Sequence, residues 1–239
     1  MTKSLKLIAL MSVLLIVAIS IWWQLSLPKN LILRFHPYVG DQALVLNDKQ
    51  YANPGGDGVF SIRDFQVFIS NIKLSNSHKT FKEQDSYHLA RFDGSIPYYE
   101  ITITDANVSK FEQVSFGVGI DPEANGTLKI AGDLDPNSRM AWNWKVGYKF
   151  LLLEGSLFVK ATKLPLVYHI GFDESYTQLS FPIESQTLSR GGVLNLKVDV
   201  LALFNQSNAV DVYATPNVKF DPQDVAKIAN GFKTFITVL

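Results

Sequence analysis

The 239-residue chain has no cysteine. That absence excludes disulfide staples, thiolate zinc sites, iron–sulfur clusters, thiol nucleophiles and lipoprotein acylation. Neither sign of charge is in excess: 22 Lys and Arg balance 22 Asp and Glu, which argues against nucleic acid or an anionic membrane surface as partner. Catalytic signatures are missing too. There is no Gly-x-Ser-x-Gly elbow, no phosphate-cradling Gly-rich loop and no His-Glu-x-x-His. Histidine is scarce, with four residues, His36, His78, His88 and His169. None falls at a His-x-His or His-x₃-His spacing, so any metal site must be assembled from separate strands. A binding protein is expected rather than an enzyme. A hydrolase whose carboxylate pair forms only in space is the remaining catalytic reading.

The N-terminus carries Lys3 and Lys6 ahead of an uncharged, mostly apolar run from Leu7 to Trp23. This is the pattern of an export signal, and it places the rest of the chain in the periplasm. Residues 1–24 are expected to act as an uncleaved anchor helix in the inner membrane. Cleavage near Ala18-Ile19-Ser20, with secretion, is the alternative. Residues 25–30 read as a short stalk, and residues 31–239 as one domain.

Beyond Pro28, short runs rich in β-branched and aromatic residues alternate with Gly, Asn, Asp and Pro clusters. The pattern predicts an all-β, antiparallel two-sheet β-sandwich with one short C-terminal helix. Phe65, Val67 and Ile69 are expected on one face of a strand, and Leu194, Leu196, Val198 and Val200 on one face of another. Asp221 is a plausible N-cap before Pro222, with Val225, Ile228, Ala229 and Phe232 at helical spacing. The acidic stretch around Asp133 and Asp135 reads as a turn held by Asx hydrogen bonds rather than as a cation loop. Trp142 and Trp144 lie two apart, so on a strand they share a face with Met140 and Val146.

Four blocks then carry a resemblance: Asp64 to Leu74 (DFQVFISNIKL), Ser86 to Leu89 (SYHL), Leu134 to Gly155 (LDPNSRMAWNWKVGYKFLLLEG) and Tyr168 to Phe172 (YHIGF). Together they resemble the MbnP-like family of extracytoplasmic copper-associated proteins, named for the periplasmic partner of methanobactin systems. The resemblance implies a β-sandwich that binds a copper ion through histidine. It also implies pairing with a di-haem cytochrome c peroxidase-like enzyme that oxidises a tryptophan to kynurenine. Mapped onto this chain, it implies His88 and His169 as metal ligands, His36 as a further candidate, and Trp142 or Trp144 as the ring to be modified. Many relatives end in a His-containing tail, whereas this chain ends Phe235-Ile236-Thr237-Val238-Leu239. His88 and His169 lie in apolar strand sequence where an unpaired imidazole is costly, and Asp85, Asp93 and Asp173 are the nearest candidate acceptors. The expected function is copper acquisition, storage or homeostasis, the alternative being a metal-free binding or scaffold module of the same fold.

Overall fold

The computed structural model describes residues 3–26, 30–104, 106–127, 130–143, 147–184, 187, 191–205 and 209–239. A helix, Lys3–Ser26, opens the chain. The strands follow as β1 Leu31–Val39, β2 Gln42–Ala43, β3 Tyr51–Ala52, β4 Val59–Ser75 and β5 Thr80–Lys82. Next come β6 Tyr87–Arg91, β7 Tyr99–Ile103, β8 Gln113–Val118, β9 Ala141–Asn143 and β10 Gly147–Val159. The last are β11 Thr162–Gly171, β12 Thr177–Pro182, β13 Val193–Asp199, β14 Asn217–Val218 and β15 Ile236–Val238.

The opening helix corrects one expectation. Among the described residues no helix is long and apolar enough to cross a membrane, so the spanning anchor is not supported. The apolar run stands at the short limit for a hydrocarbon core of about 30 Å. Ser12 and Ser20 also interrupt it, their hydroxyls turned back onto the carbonyls of Ile8 and Ile16.

The strands form two sheets, as the alternating pattern predicts. The smaller runs β15-β13-β1-β2, with β7 also on β1. The larger runs β12-β8-β4-β10-β11-β14, with β3, β5 and β6 on β4 and β9 on β10. Pairing is mostly antiparallel, but β1 lies parallel to β13 and β11 parallel to β14, so the sheets are mixed. Strand β4 curls the larger sheet because it changes partner along its 17 residues. It pairs with β10 through Val67 and with β8 from Ile69 onward. At that fork Gly119 has a φ of +103°, and a Cβ there would come within 2.4 Å of the Phe150 ring, so glycine is required twice over.

The interior between the sheets is a single large apolar cluster that includes Leu33, Phe35, Ile69, Leu151, Tyr168 and Leu196. Each such side chain contributes about 1.5–3 kcal/mol on burial. A second cluster covers the other face of the larger sheet, where Phe68, Leu89, Leu134, Met140, Phe150 and Leu152 pack together. The segment between β8 and β10 supplies this cover and carries a helical turn, Pro122–Asn125. Residues 148–153 of β10 are therefore buried on both faces. At the C-terminus Asp221 caps the helix Pro222–Ala229, accepting from the amides of Gln223 and Asp224. The helix stops before Gly231, and Phe232–Phe235 forms a separate turn that still buries Phe232.

Candidate functional site

The site is built on the β10–β11 hairpin. Tyr168 and Ile170 point into the main core, so alternation turns His169 to the opposite face of the sheet. There it is the register partner of Leu152, and Glu154 lies two residues farther along the same face. His169 Nε2 and Glu154 Oε1 are 2.8 Å apart, and both side chains are about one-seventh exposed, at 13% and 14%. Because a carboxylate can only accept, this bond places the ring proton on Nε2 and leaves the Nδ1 lone pair of the neutral ring for a ligand.

Glu154 is also the centre of a charge network. Arg63 Nη2 donates to its Oε2 at 2.7 Å and Arg139 Nη2 at 3.1 Å, while Arg139 Nη1 donates to Asp64, the register partner of Glu154 on β4. Burial pushes the Glu154 carboxyl up, but the bonds from His169 and Arg63 and the nearby Arg139 charge outweigh it, so it titrates below the ordinary range. His169 shifts down. Its burial is the main cause, the Glu154 bond opposes it, and the ammonium groups of Lys149 and Lys219 add to it. At neutral pH the pair is thus an ionised carboxylate holding a neutral imidazole.

Trp142 reaches the same strand from β9. Gly171 lies two residues beyond His169 on the same face, and a Cβ there would come within 2.6 Å of Trp142 Cζ3. The indole is flanked by Phe172 at 5.4 Å and Phe220 at 5.3 Å between ring centroids. Phe172 has a φ of +70° and ψ of 146°, a combination that is costly for any residue with a side chain. Beyond Phe172 opens a groove of about 730 Å³, walled by Tyr176 and Gln178 on one side and Val225, Ala229 and Lys233 on the other. Trp144, the second ring of the expected stripe, lies outside the described residues.

The other histidines are elsewhere. His88 on β6 is the register partner of Ile69, whose side chain belongs to the main core, whereas Leu152 beside His169 belongs to the second cluster. His88 and His169 therefore lie on opposite faces of the larger sheet, three strand spacings apart, roughly 14 Å. His36 lies on the smaller sheet, with Nε2 3.0 Å from Asn195 Oδ1 and its ring against Tyr98. His78 lies in the polar turn 76–79, between β4 and β5. The structure packs Trp142 on Gly171, two residues from His169 on the same strand, and places His36 and His88 elsewhere. Among the described residues no three His, Asp or Glu side chains gather as a metal would need.

The acceptors differ from those nearest in sequence. His88 Nε2 is 2.8 Å from Glu83 Oε2, and His169 is held by Glu154. Asp93 instead accepts from Ser95, and Asp173 from Asn125. The usable signal for Glu154 was a lone carboxylate inside a strand of buried leucines, which requires a partner. Asp135 accepts from the amide of Asn137 at 2.8 Å, the Asx turn read from the sequence.

Comparison with known proteins agrees with this architecture. No curated protein is significantly similar to the chain in sequence. Among solved structures, MbnP from Methylosinus trichosporium is similar in fold, with a TM-score of 0.55 at 15% identity, over 88% of this chain and 98% of that one. The MbnP family itself matches residues 28–220, most of the chain and strands of both sheets, and the chain belongs to that family.

Proposed function

We propose that the chain is a methanobactin-associated, extracytoplasmic copper-handling protein that binds the ion rather than turning over a substrate, with His169 as its imidazole donor. One observation carries the reading. Glu154 fixes the His169 tautomer with Nδ1 unprotonated, on the face where Trp142 packs against Gly171. A ligand imidazole held through its other N–H by a carboxylate is the usual support of a metal-bound histidine. Neutral imidazole with oxygen donors and no thiolate favours Cu(II) over Zn(II) on affinity order.

Among the described residues the donor set is incomplete: one imidazole, one carboxylate already bonded to two arginines, and two lysines whose charges act on the ring. In this reading maturation supplies a second strong donor. The indole nitrogen is no ligand as it stands. Oxidative cleavage of the Trp142 indole C2–C3 bond by a di-haem peroxidase-like partner, with peroxide or dioxygen as oxidant and C2 leaving by hydrolysis as formate, would give kynurenine, an aryl amine and a ketone; the resemblance to the family suggests this partner. The export-signal pattern of residues 1–24 supports a periplasmic location, where the proposed partner would meet the chain.

The test is intact mass and metal content of the protein isolated from its native envelope. Copper at about one per chain, together with a Trp142 peptide that has gained one oxygen and lost one carbon, supports the reading. Copper that survives His169→Ala overturns the assignment. A second reading, a metal-free binding module, is favoured by the fact that His36, His88 and His169 each already have a partner. It predicts no retained copper after loading.

A further inference from the structure

We propose that Lys149 is a positioning residue, a clamp that holds the Trp142-bearing segment in register with the His169 strand. Its importance for copper rests on the reading above, but the clamp itself does not.

Lys149 lies within the doubly buried stretch of β10 and is 8% exposed. An ammonium there is costly, and a leucine or methionine would suit the surroundings better unless its donors are used. They are used on one short segment. Nζ donates to the main-chain carbonyl of Arg139 and, at 3.5 Å, to that of Ala141, while the Lys149 amide donates to Met140 O at 2.6 Å. A single residue thus engages three consecutive carbonyls, immediately before Trp142. No carboxylate is bonded to Nζ among the described residues, and Glu154 is already satisfied by His169, Arg63 and Arg139. Glu154 acts on the Lys149 ammonium through its charge and not through a hydrogen bond.

The segment needs such a clamp. Strand β9 has only three residues and pairs with β10 at two positions, Gly147↔Asn143 and Tyr148↔Ala141, with an irregularity between them. So short a strand does not hold its own register. Met140 anchors one end in the second apolar cluster. At the other end Trp142 lies over Gly171, where the missing Cβ leaves its slot. Lys149 sits opposite both, as the register partner of Gly171. Its side chain thus holds the segment while its main chain is paired with the glycine that leaves the slot, whose other wall is the Tyr148 carbonyl.

The experiment uses the full chain with Lys149→Met and Lys149→Arg, read by amide exchange of peptides covering residues 139–143, β4 and β12, and by copper affinity. Lys149→Met is expected to speed exchange of 139–143 at least tenfold, leave β4 and β12 within twofold, and weaken copper binding at least tenfold. Lys149→Arg, which keeps charged donors, is expected to restore most of both. Unchanged exchange in 139–143 overturns the clamp. So does faster exchange throughout, or failure of Lys149→Met to fold, since either would make Lys149 a general determinant of the fold. A wild-type chain that retains no copper overturns the functional reading, and the exchange data still decide the clamp.

Discussion

The larger sheet carries two histidine–glutamate pairs with nearly the same bond and different surroundings. In both, imidazole Nε2 is 2.8 Å from a glutamate oxygen, and all four side chains are between 13% and 24% exposed. Around His88, Glu83 also accepts from Ser86 Oγ at 2.5 Å, and the pair borders a cleft of about 430 Å³ lined by Lys82, Gln84 and Thr102. Around His169 there are two arginines, two lysines and the Trp142 ring. The bond that orients an imidazole is common to both, so it does not mark function by itself. What differs is the company: two residues from His169 on the same face, the Trp142 ring packs on Gly171.

That contrast can be broken most directly by removing each ring. His169→Ala is expected to weaken copper binding of the mature protein about a hundredfold, about 2.7 kcal/mol, and His88→Ala to change it less than twofold. Equal losses by isothermal titration would erase the distinction. Next in size is removal of the acceptors. Glu154→Gln leaves His169 and two arginines short of a partner and is expected to cost about 2–3 kcal/mol, against about 1 kcal/mol for Glu83→Gln. Urea denaturation of the two variants measures the difference.

Acid should separate the pairs further. Glu154 and Glu83 both titrate below the ordinary 4.5 in the folded chain, so each contributes stability that is present above that pH and lost as pH falls through the lower folded value. The folded His169 also titrates below its ordinary 6.5, so the unfolded chain takes up that proton first, and stability begins to fall as pH drops below 6.5. A denaturation series from pH 7.5 to 3 should show two stages, and His169→Gln should remove the upper one. The smallest effect is expected from Arg63→Ala. Its side chain is 63% exposed, so loss of its ion pair should cost no more than about 0.5–1 kcal/mol by thermal melting.

Much of the fold was legible because alternation is local. Leu194, Leu196 and Val198 are buried as their spacing predicts, and Asp221 caps the helix where the sequence places a cap. Strand β4 was only half legible. Phe65, Val67 and Ile69 do face the main core, but Phe68 is equally buried, because the segment after β8 folds back over the outer face. A cover contributed from about 50 residues away leaves no trace in a period-two pattern. The parallel β1–β13 pair joins residues more than 150 positions apart and was likewise beyond local reading. The site divided in the same way. His169 and Trp142 were candidates through the family resemblance. Their juxtaposition depends on the β10–β11 register and on Gly171, and the separation of His88 depends on which face each strand turns outward.

The placement of His88 and His169 on opposite faces, with the closely packed β4 and β10 between them, makes the larger sheet a partition. Groups more than about 7–10 Å apart that share no partner behave additively. A double-mutant cycle between the two histidines should therefore close with almost no coupling. The chain can then gain, lose or retune chemistry on one face while the other stays as it is.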